Sequence, residues 1–370
     1  MNTPDFFGDN LRLARLTSGI SLQELGEKVG ATRQYLSQLE TTNKKPSADL
    51  LDALSYELKV LPRFFSTPLG NSVKDEECHF RKLSAVPAYS IRECTARITL
   101  VHRLVNALDD FLELPEVNFP DLGPIASNKD AALAAYRARE YWGLGKGPIE
   151  SVARLIEFSG GIITSLGSIS EKVDALSVHR ERPIIIINKS KNSPRLRFDL
   201  AHELGHMVMH KGVESGCRET ESQADQFASH LLLPQDALLQ SYKPYSRINW
   251  QAIKQIKLKW GISLRAIIYR LRYSGMLTPS QYRTANIHLN KKGSRTEELD
   301  DQVLREEPEV IRNSLALLGD NYGKSFGGLF ERLSVSKEVI APLTDTEDLL
   351  LGQFWSELSD NVIPFPKAEA

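Results

Sequence analysis

The residues best suited to chemistry are two histidines four positions apart with a carboxylate between them. His202, Glu203 and His206 form the pattern His-Glu-x-x-His. On a helix, positions i and i+4 lie on one face about one turn apart, so both imidazoles can bind a single Zn²⁺ ion. The intervening Glu203 then reaches the water that such a metal activates. The pattern therefore predicts a zinc site with an acid–base group beside it.

A catalytic zinc site needs a third protein ligand and an open position for water. Downstream, Glu221 and Asp225 share one helix face. Glu221 is a candidate for the third ligand. Asp225 is a candidate for the group that accepts the remaining N–H of a ligating histidine and fixes its tautomer. Cys217 lies between the two ligand segments, where we favour a free thiol over a zinc ligand. His210 is interpreted as a substrate-side or packing residue.

Helix-end signals and apolar runs predict the elements that position these side chains. Residues 183–188 form a β-branched apolar run, which predicts a buried strand. Ser193 is the predicted N-cap of a metal-binding helix over 194–211. Thr220 is the predicted N-cap of the next helix. A strand directly before the metal helix would hold that helix rigidly against a small sheet.

Two segments resemble the ImmA/IrrE family of zinc metallo-endopeptidases. The resemblance is carried by R-F-D-L-A-H-E-L-G-H (197–206) and E-S-Q-A-D-Q-F-A-S-H-L-L-L-P (221–234), and it extends over about 128–290. It implies an intracellular gluzincin-like protease that cleaves helix-turn-helix repressors. It further implies that His202, His206 and Glu221 are the Zn²⁺ ligands and that Glu203 is the general base.

The first 65 residues show the pattern of a helix-turn-helix module. Ser21 and Glu24 form a capping box, and Thr32 caps the next helix after a tight turn at Gly30. The segment S-L-Q-E-L-G-E-K-V-G-A-T-R-Q-Y-L-S-Q-L-E-T-T-N-K-K-P-S (21–47) resembles the XRE, or λ-repressor-like, DNA-binding domain. In such a domain the second helix lies in the major groove and its first residues meet base edges.

Operator DNA is therefore an expected partner. The side chains at 33, 34 and 38 suit guanine and adenine edges, whereas those at 23, 44 and 45 are placed for phosphates. The predicted DNA contacts are Gln23, Thr32, Arg33, Gln34, Gln38, Lys44 and Lys45. Residues 1–65 hold eight basic and eight acidic residues, so a protein-binding adaptor is the alternative. Paired recognition helices predict a homodimer.

Length and composition predict the overall class. The chain has 370 residues, of which 41% are hydrophobic, so it has room for two to three domains. Three cysteines are too few for a secreted disulfide framework, and no apolar run suits a signal peptide or a membrane span. These observations predict a cytoplasmic protein without a membrane partner.

The predicted fold is multidomain and mainly α. Its five segments are a five-helix XRE-type helix-turn-helix domain (1–66), a helical connector (67–127), an α+β zincin minidomain with a small sheet (128–236), a basic helical bundle resembling a helix-turn-helix (237–296) and an acidic helical C-terminal region (297–370). The order of helices, small sheet and metal helix in 128–236 is typical of an α+β arrangement.

The last two segments carry opposite charge. Residues 237–296 hold twelve Lys and Arg and no Asp or Glu, which favours contact with nucleic acid or an acidic partner. From 297 onward, sixteen acidic residues face six basic ones. We hypothesise that the acidic region docks on the basic one within the chain and modulates access to DNA or substrate.

These features together predict a DNA-binding transcriptional regulator with a zinc-dependent endopeptidase domain. Its expected substrate is a repressor or an antitoxin-like protein. One alternative is a transcription factor whose zincin-like domain is a non-proteolytic sensor or partner-binding module. A second alternative is an antitoxin-type repressor that binds a cognate toxin.

Overall fold

Helices dominate the structure, a computed structural model that describes residues 5–42, 44–70, 72–74, 77–80, 87–165, 175–213, 217–291, 297–321 and 323–352. One four-stranded sheet lies between two hydrophobic cores of this described part. The prediction of a multidomain, mainly α chain with a small sheet is confirmed.

The N-terminal domain has five helices, the number that the sequence predicts. They are α1 Gly8–Thr17, α2 Leu22–Val29, α3 Arg33–Thr41, α4 Ala48–Leu58 and a 3₁₀ helix, Pro62–Ser66. The capping box of Ser21 and Glu24 is present at the start of α2. Gly30 ends α2 with φ of 67°, a left-handed conformation that glycine adopts without strain. The side chain of Thr32 accepts a hydrogen bond from the Tyr35 amide and begins α3.

The remaining elements follow in chain order. The helices are α5 Ala88–Asp109, α6 Asn128–Tyr141, α7 Val152–Phe158, α8 Ser193–Met209, α9 Arg218–Leu232, α10 Gln235–Ser241, α11 Trp250–Trp260, α12 Leu264–Tyr273, α13 Pro279–Lys291, α14 Val310–Asn321, α15 Gly323–Leu333, α16 Lys337–Thr344 and α17 Glu347–Leu350. The strands are β1 Cys78–Phe80, β2 Ile162–Ser165, β3 Ala175–Val178 and β4 Ile184–Ile187. The sequence pattern did not predict β1, which comes from the connector.

The sheet joins the two cores because its side chains alternate between faces. Its strand order is β1-β3-β4-β2, with β2 parallel to β4 and the other two pairs antiparallel. Ile184 and Ile186 point into a core shared with the N-terminal domain, α5 and α14 to α17. Ile185 and Ile187 point into a second core, formed with α6 to α13. The continuous isoleucine run therefore reflects a strand that is buried on both faces.

The acidic C-terminal region contacts two different parts of the molecule. Glu298 and Asp300 pair with Lys254 and Lys257 of α11, and Glu297 accepts hydrogen bonds from the first backbone amides of α12. Beyond these residues, the helices over 310–350 pack instead on the N-terminal domain and α5. The hypothesised docking of acidic on basic residues within the chain is thus observed for 297–300 only, among the described residues.

The contact between the C-terminal helices and the N-terminal domain is formed by backbone as well as side chains. The Leu61 amide donates to the Ser334 carbonyl at 2.9 Å, and Val60 pairs with Val335 in an isolated β-bridge. Arg63 also pairs with Glu331 at 3.2 Å. These contacts join segments about 270 residues apart in sequence, so periodicity along the chain cannot predict them.

Glu157 on α7 gives the fold a titratable contact, which we expect to make its stability depend on pH. Its side chain is 2% exposed and accepts hydrogen bonds from the Glu309 and Val310 amides at the start of α14. Burial raises the pKa of Glu157 to about 7, although these hydrogen bonds oppose the rise. The folded state therefore binds a proton between the ordinary carboxyl pKa of 4.5 and about pH 7, and wild-type stability falls as pH rises through this range.

Glu157→Gln should remove this dependence. Relative to wild type, the variant should gain up to about 3 kcal/mol between pH 4.5 and 8, since one pKa unit corresponds to about 1.4 kcal/mol. Denaturant unfolding at several pH values measures the difference. Glu150→Gln, on the exposed surface just before α7, should follow wild type. Parallel curves for wild type and Glu157→Gln would contradict the assignment.

Candidate metal centre

The predicted histidines lie on α8, and Glu221 and Asp225 lie on α9. Both predicted N-caps were wrong by one or three residues. Asn192 caps α8 by accepting a hydrogen bond from the Arg195 amide, because an asparagine side chain satisfies that donor as well as serine does. Cys217 caps α9, where its sulfur accepts a hydrogen bond from the Thr220 amide at 3.4 Å. Cys217 is exposed, and it does not belong to the group of possible metal ligands that His202, His206 and Glu221 form.

Close packing of α8 on α9 brings the two sets of side chains together. Gly205 faces the fully buried ring of Phe227, and a Cβ atom at 205 would lie 2.9 Å from that ring. The missing side chain therefore lets α9 approach the histidine-bearing helix. As a result, the Glu221 carboxylate lies beside both imidazoles.

The structure brings His202, His206 and Glu221 into one compact group. The Nε2 atoms of the two histidines are 3.1 Å apart. The Glu221 oxygens lie 3.5 Å from His202 Nε2 and 3.3 Å from His206 Nε2. Tetrahedral zinc with bonds of about 2.0–2.2 Å places its ligand atoms about 3.4 Å apart. Two imidazole nitrogens and one carboxylate oxygen at this spacing fit Zn²⁺ in both geometry and chemistry.

The electrostatics of the group favour an ionised Glu221. His202 and His206 are buried, whereas the Glu221 side chain keeps 21% exposure. Burial alone would raise the pKa of Glu221, but its contacts with the two histidines outweigh burial and hold that pKa well below the usual range. A half-buried carboxylate facing two imidazole nitrogens is a suitable environment for a cation.

Each histidine has a second partner on its other ring nitrogen. The Nδ1 atom of His202 lies 2.8 Å from Asp225 Oδ1, which is the placement that the sequence predicted for Asp225. The Nδ1 atom of His206 lies 3.0 Å from His210 Nδ1, and His210 Nε2 lies 2.9 Å from Gln223 Oε1. These partners orient both Nε2 atoms toward Glu221 and fix the tautomers that leave them free to bind a metal.

The structure gives His210 a specific place and adds Gln223, which the sequence analysis missed. His210, interpreted as a substrate-side or packing residue, is buried and lies between His206 Nδ1 and Gln223 Oε1. Burial lowers the pKa of His210 to about 4, which keeps its ring neutral and able to accept a hydrogen bond from His206 Nδ1–H. Gln223 was missed because it lies two residues from Glu221, on another face of α9.

Glu203 follows His202 in the chain, but its carboxylate contacts a residue outside the group of His202, His206 and Glu221. Its carboxylate is 2% exposed and accepts a hydrogen bond of 2.6 Å from the Ser177 hydroxyl on β3. Ser177 is fully buried and contributes the only described hydrogen bond to this carboxylate. No signal in the sequence identified Ser177, because the contact joins a strand to a helix 26 residues away.

The predicted DNA-contacting residues lie on α2, on α3 with its N-cap, and in the segment after α3. Arg33 and Gln34 are exposed at the start of α3, as is Gln23 on α2. Gln38 is half-buried and its side-chain oxygen accepts a hydrogen bond from Lys44 at 2.6 Å. Two further predicted contacts are engaged within the domain, since Thr32 caps α3 and Lys45 lies 3.3 Å from Asp5.

A buried ion pair, which the sequence analysis missed, fixes α3 to the rest of its domain. Arg15 of α1 donates two hydrogen bonds to the Glu40 carboxylate, at 2.6 and 3.0 Å. Leu36 and Leu39 are fully buried on the same side of α3. The apolar and ionic contacts together hold α3 so that its N-terminal polar residues face solvent.

Comparison with known families identifies two domains in this chain. Residues 163–272 match the family model of the IrrE N-terminal-like domain, peptidase M78. Residues 11–65 match a helix-turn-helix family model. The chain therefore carries a helix-turn-helix domain and, after it, an IrrE N-terminal-like domain, and both resemblances seen in the sequence are confirmed.

Two curated relatives match a stretch of this chain that is about as long as its N-terminal domain. Two uncharacterised HTH-type transcriptional regulators of Mycobacterium tuberculosis, from strains CDC 1551 and H37Rv, are each 40% identical over 53 residues. This stretch is 14% of the present chain and 38% of each relative, so the chain spans well under half the length of the curated relatives it matches.

A crystal structure of Bacillus thuringiensis PlcR in complex with the peptide PapR7 and DNA aligns with 96% of this chain and 98% of that one. Its identity is 11% and its TM-score is 0.15, and so low a score carries no argument about fold or function.

Among the described residues, no helix combines the length and apolar character that crossing a membrane requires.

Proposed function

We propose that this protein is a DNA-binding transcriptional regulator whose second domain is a zinc-dependent endopeptidase. The observation that carries the proposal is the group of His202, His206 and Glu221 with Glu203 adjacent to it in the chain. All four side chains come from two helices packed in a buried core. The match to the IrrE N-terminal-like domain supports the same assignment.

In the proposed mechanism, His202, His206 and Glu221 would hold Zn²⁺, which would supply Lewis acidity for the attack of water on a peptide carbonyl. Glu203 takes the proton of the attacking water and passes it to the leaving amine. Ser177 orients the Glu203 carboxylate through its hydrogen bond. Asp225 and His210 hold the two ligating imidazoles in the tautomer that binds through Nε2.

The proposed substrate is a repressor or antitoxin-like helix-turn-helix protein. The family resemblance supports this class of substrate, and the fusion to a DNA-binding domain would bring the peptidase to operators where such proteins reside. A cytoplasmic homodimer bound to a palindromic operator fits the same proposal, because a helix-turn-helix subunit reads one half-site.

Incubating the purified full-length protein with helix-turn-helix proteins encoded beside it tests this function. Fragments of one partner should form with zinc, disappear with a chelator such as 1,10-phenanthroline and return when zinc is added back. Mass spectrometry of the fragments locates the scissile bond. If the protein binds zinc stoichiometrically but leaves every partner intact, the endopeptidase proposal is wrong and a non-proteolytic partner-binding domain is favoured.

Arg33→Ala tests the DNA-binding part of the proposal. Arg33 is exposed at the first position of α3, where an arginine can form two hydrogen bonds with a guanine edge. Its loss should weaken binding to a selected genomic site by about 1–3 kcal/mol, which is about 5- to 150-fold. Binding is measured by fluorescence anisotropy at fixed salt concentration, using fragments that the wild-type protein enriches from genomic DNA.

Arg12→Ala is the matched control, since Arg12 is exposed on α1 and carries the same charge. It should leave the affinity for the selected site within a few fold of wild type. Equal losses in the two variants would mean that Arg33 contributes only general electrostatic attraction. No enrichment of any fragment by the wild-type protein would contradict operator binding altogether.

A further inference from the structure

A large polar cavity lies where the N-terminal domain, α5, the turn between β3 and β4, and α15 meet. Its volume is about 1100 Å³. One wall is formed by α5 through Thr99, His102, Arg103 and Asn106. This cavity is separate from the metal centre, because none of the residues that line it belongs to α8 or α9.

Most of the charged residues around the cavity are already compensated. Arg180 pairs with Glu77 at 2.8 Å. Arg182 pairs with Asp109 at 3.2 Å, and Arg332 pairs with Asp110 at 2.7 Å. In each of these three ion pairs the two charges neutralise each other, so the pairs leave little net charge to attract a ligand.

Arg103 differs from these arginines. Among the described residues it forms no ion pair, and its Nη1 atom is buried without a hydrogen-bond partner. Its guanidinium lies over the Phe64 ring, 5.2 Å from the centroid, a contact that holds the group in place without neutralising it. Burying a charge without a counter-charge is costly, and burial accordingly lowers the pKa of Arg103. A guanidinium in this state is suited to bind an anion from solution.

We propose that this cavity binds a small organic anion whose carboxylate or phosphate group pairs with Arg103. The planar guanidinium offers two parallel N–H groups, which match the oxygens of either head group. Leu69, Ala107, Val117 and Leu333 also line the cavity and would contact an apolar part of the ligand. The carboxylates at the cavity wall would repel a polyanion, so a single anionic group is favoured.

The position of the cavity connects such a ligand to the DNA-binding domain. Arg103 contacts Phe64, which is fully buried in the core of that domain. On the same helix as Arg103, Arg97 donates a hydrogen bond to the Thr17 carbonyl at the end of α1. An anion at Arg103 therefore binds against a helix that packs directly on the helix-turn-helix domain.

The test is a titration of the full-length protein with three probes, namely butyrate, phenyl phosphate and inorganic phosphate. Calorimetry and thermal unfolding are measured at constant ionic strength, with chloride replacing the probe in the reference. At least one probe should bind with a dissociation constant of about 1 mM or lower and raise the melting temperature. Binding by butyrate alone assigns a carboxylate ligand, whereas tighter binding of phenyl phosphate than of inorganic phosphate assigns an organic phosphate.

Arg103→Met keeps the side-chain stem and its contact with Phe64 but removes the charge, and it should weaken binding at least tenfold. Arg137→Met removes an exposed arginine on α6 and should bind as wild type does. If Arg103→Met fails to fold, Arg103→Lys is the second variant. It retains the charge but lacks the planar guanidinium, and it should bind the probe several-fold more weakly than the wild-type protein does. The proposal is overturned if no probe binds, if the folded Arg103 variants bind as wild type, or if Arg137→Met loses binding equally.

Discussion

Replacing Glu221 by alanine is expected to reduce the zinc content of the purified protein from about one ion per chain to a small fraction of that. The reason is geometric, because Glu221 provides the only carboxylate within reach of both Nε2 atoms among the described residues. Two imidazoles alone leave the metal without an anionic protein ligand, and loss of a direct ligand should weaken zinc binding by at least the roughly 10–100-fold that loss of an outer-shell partner costs.

The measurement is metal content by mass spectrometry together with competition against a chromophoric chelator. His202→Ala should give the same loss, whereas Glu219→Ala should keep wild-type affinity. Glu219 lies in the first turn of α9, is exposed and differs from Glu221 by two positions, so it controls for the general loss of an acidic residue. A folded Glu221→Ala variant that binds zinc as tightly as wild type would require another third ligand.

The side-chain placements that the sequence predicted are those whose geometry is set within one helix. Four-residue spacing places His202 and His206 on one face of α8 whatever surrounds the helix, and the same rule relates Glu221 to Asp225 on α9. Capping residues behave similarly, since Ser21 and Glu24 interact only with their own helix. Local rules of this kind need no knowledge of tertiary packing.

The residues that the sequence did not predict act between elements. Ser177 reaches Glu203 from a strand, and Gln223 reaches His210 from the facing helix. Arg103 stands out only because its charged neighbours at the cavity pair with one another, so that no described residue provides it with a counter-charge. Such roles depend on which surfaces meet, and no periodic pattern in a single segment carries that information.

Charge counts along the sequence predicted the charged surfaces only in part, because they do not show which charges pair with one another in the fold. The charge count predicted an uncompensated cationic surface on the basic segment 237–296. In the fold, Lys254 and Lys257 pair with the acidic residues that follow, and Arg270 is buried where it donates to the backbone carbonyls of Ser229 and Leu233. Several of its charges thus stabilise the fold, which weakens the expectation of nucleic-acid contact by this segment.

Glu203→Gln is expected to retain zinc and lose cleavage. The amide has nearly the same shape as the carboxylate and can still accept the hydrogen bond from Ser177, so the fold around the metal centre should persist. It cannot take the proton of the attacking water, and loss of a general base lowers turnover by about 10²–10⁴-fold. The rate is measured as fragment formation from the substrate identified with the wild-type protein.

Two further variants separate loss of the base from disturbance of the site. Glu219→Gln makes the same chemical change on an exposed helix and should cleave at the wild-type rate. Ser177→Ala leaves the carboxylate in place without its orienting hydrogen bond, so its rate should lie between those of wild type and Glu203→Gln, with zinc content unchanged. Full activity of a zinc-loaded Glu203→Gln variant would refute the base assignment, because an amide cannot take the proton of the attacking water.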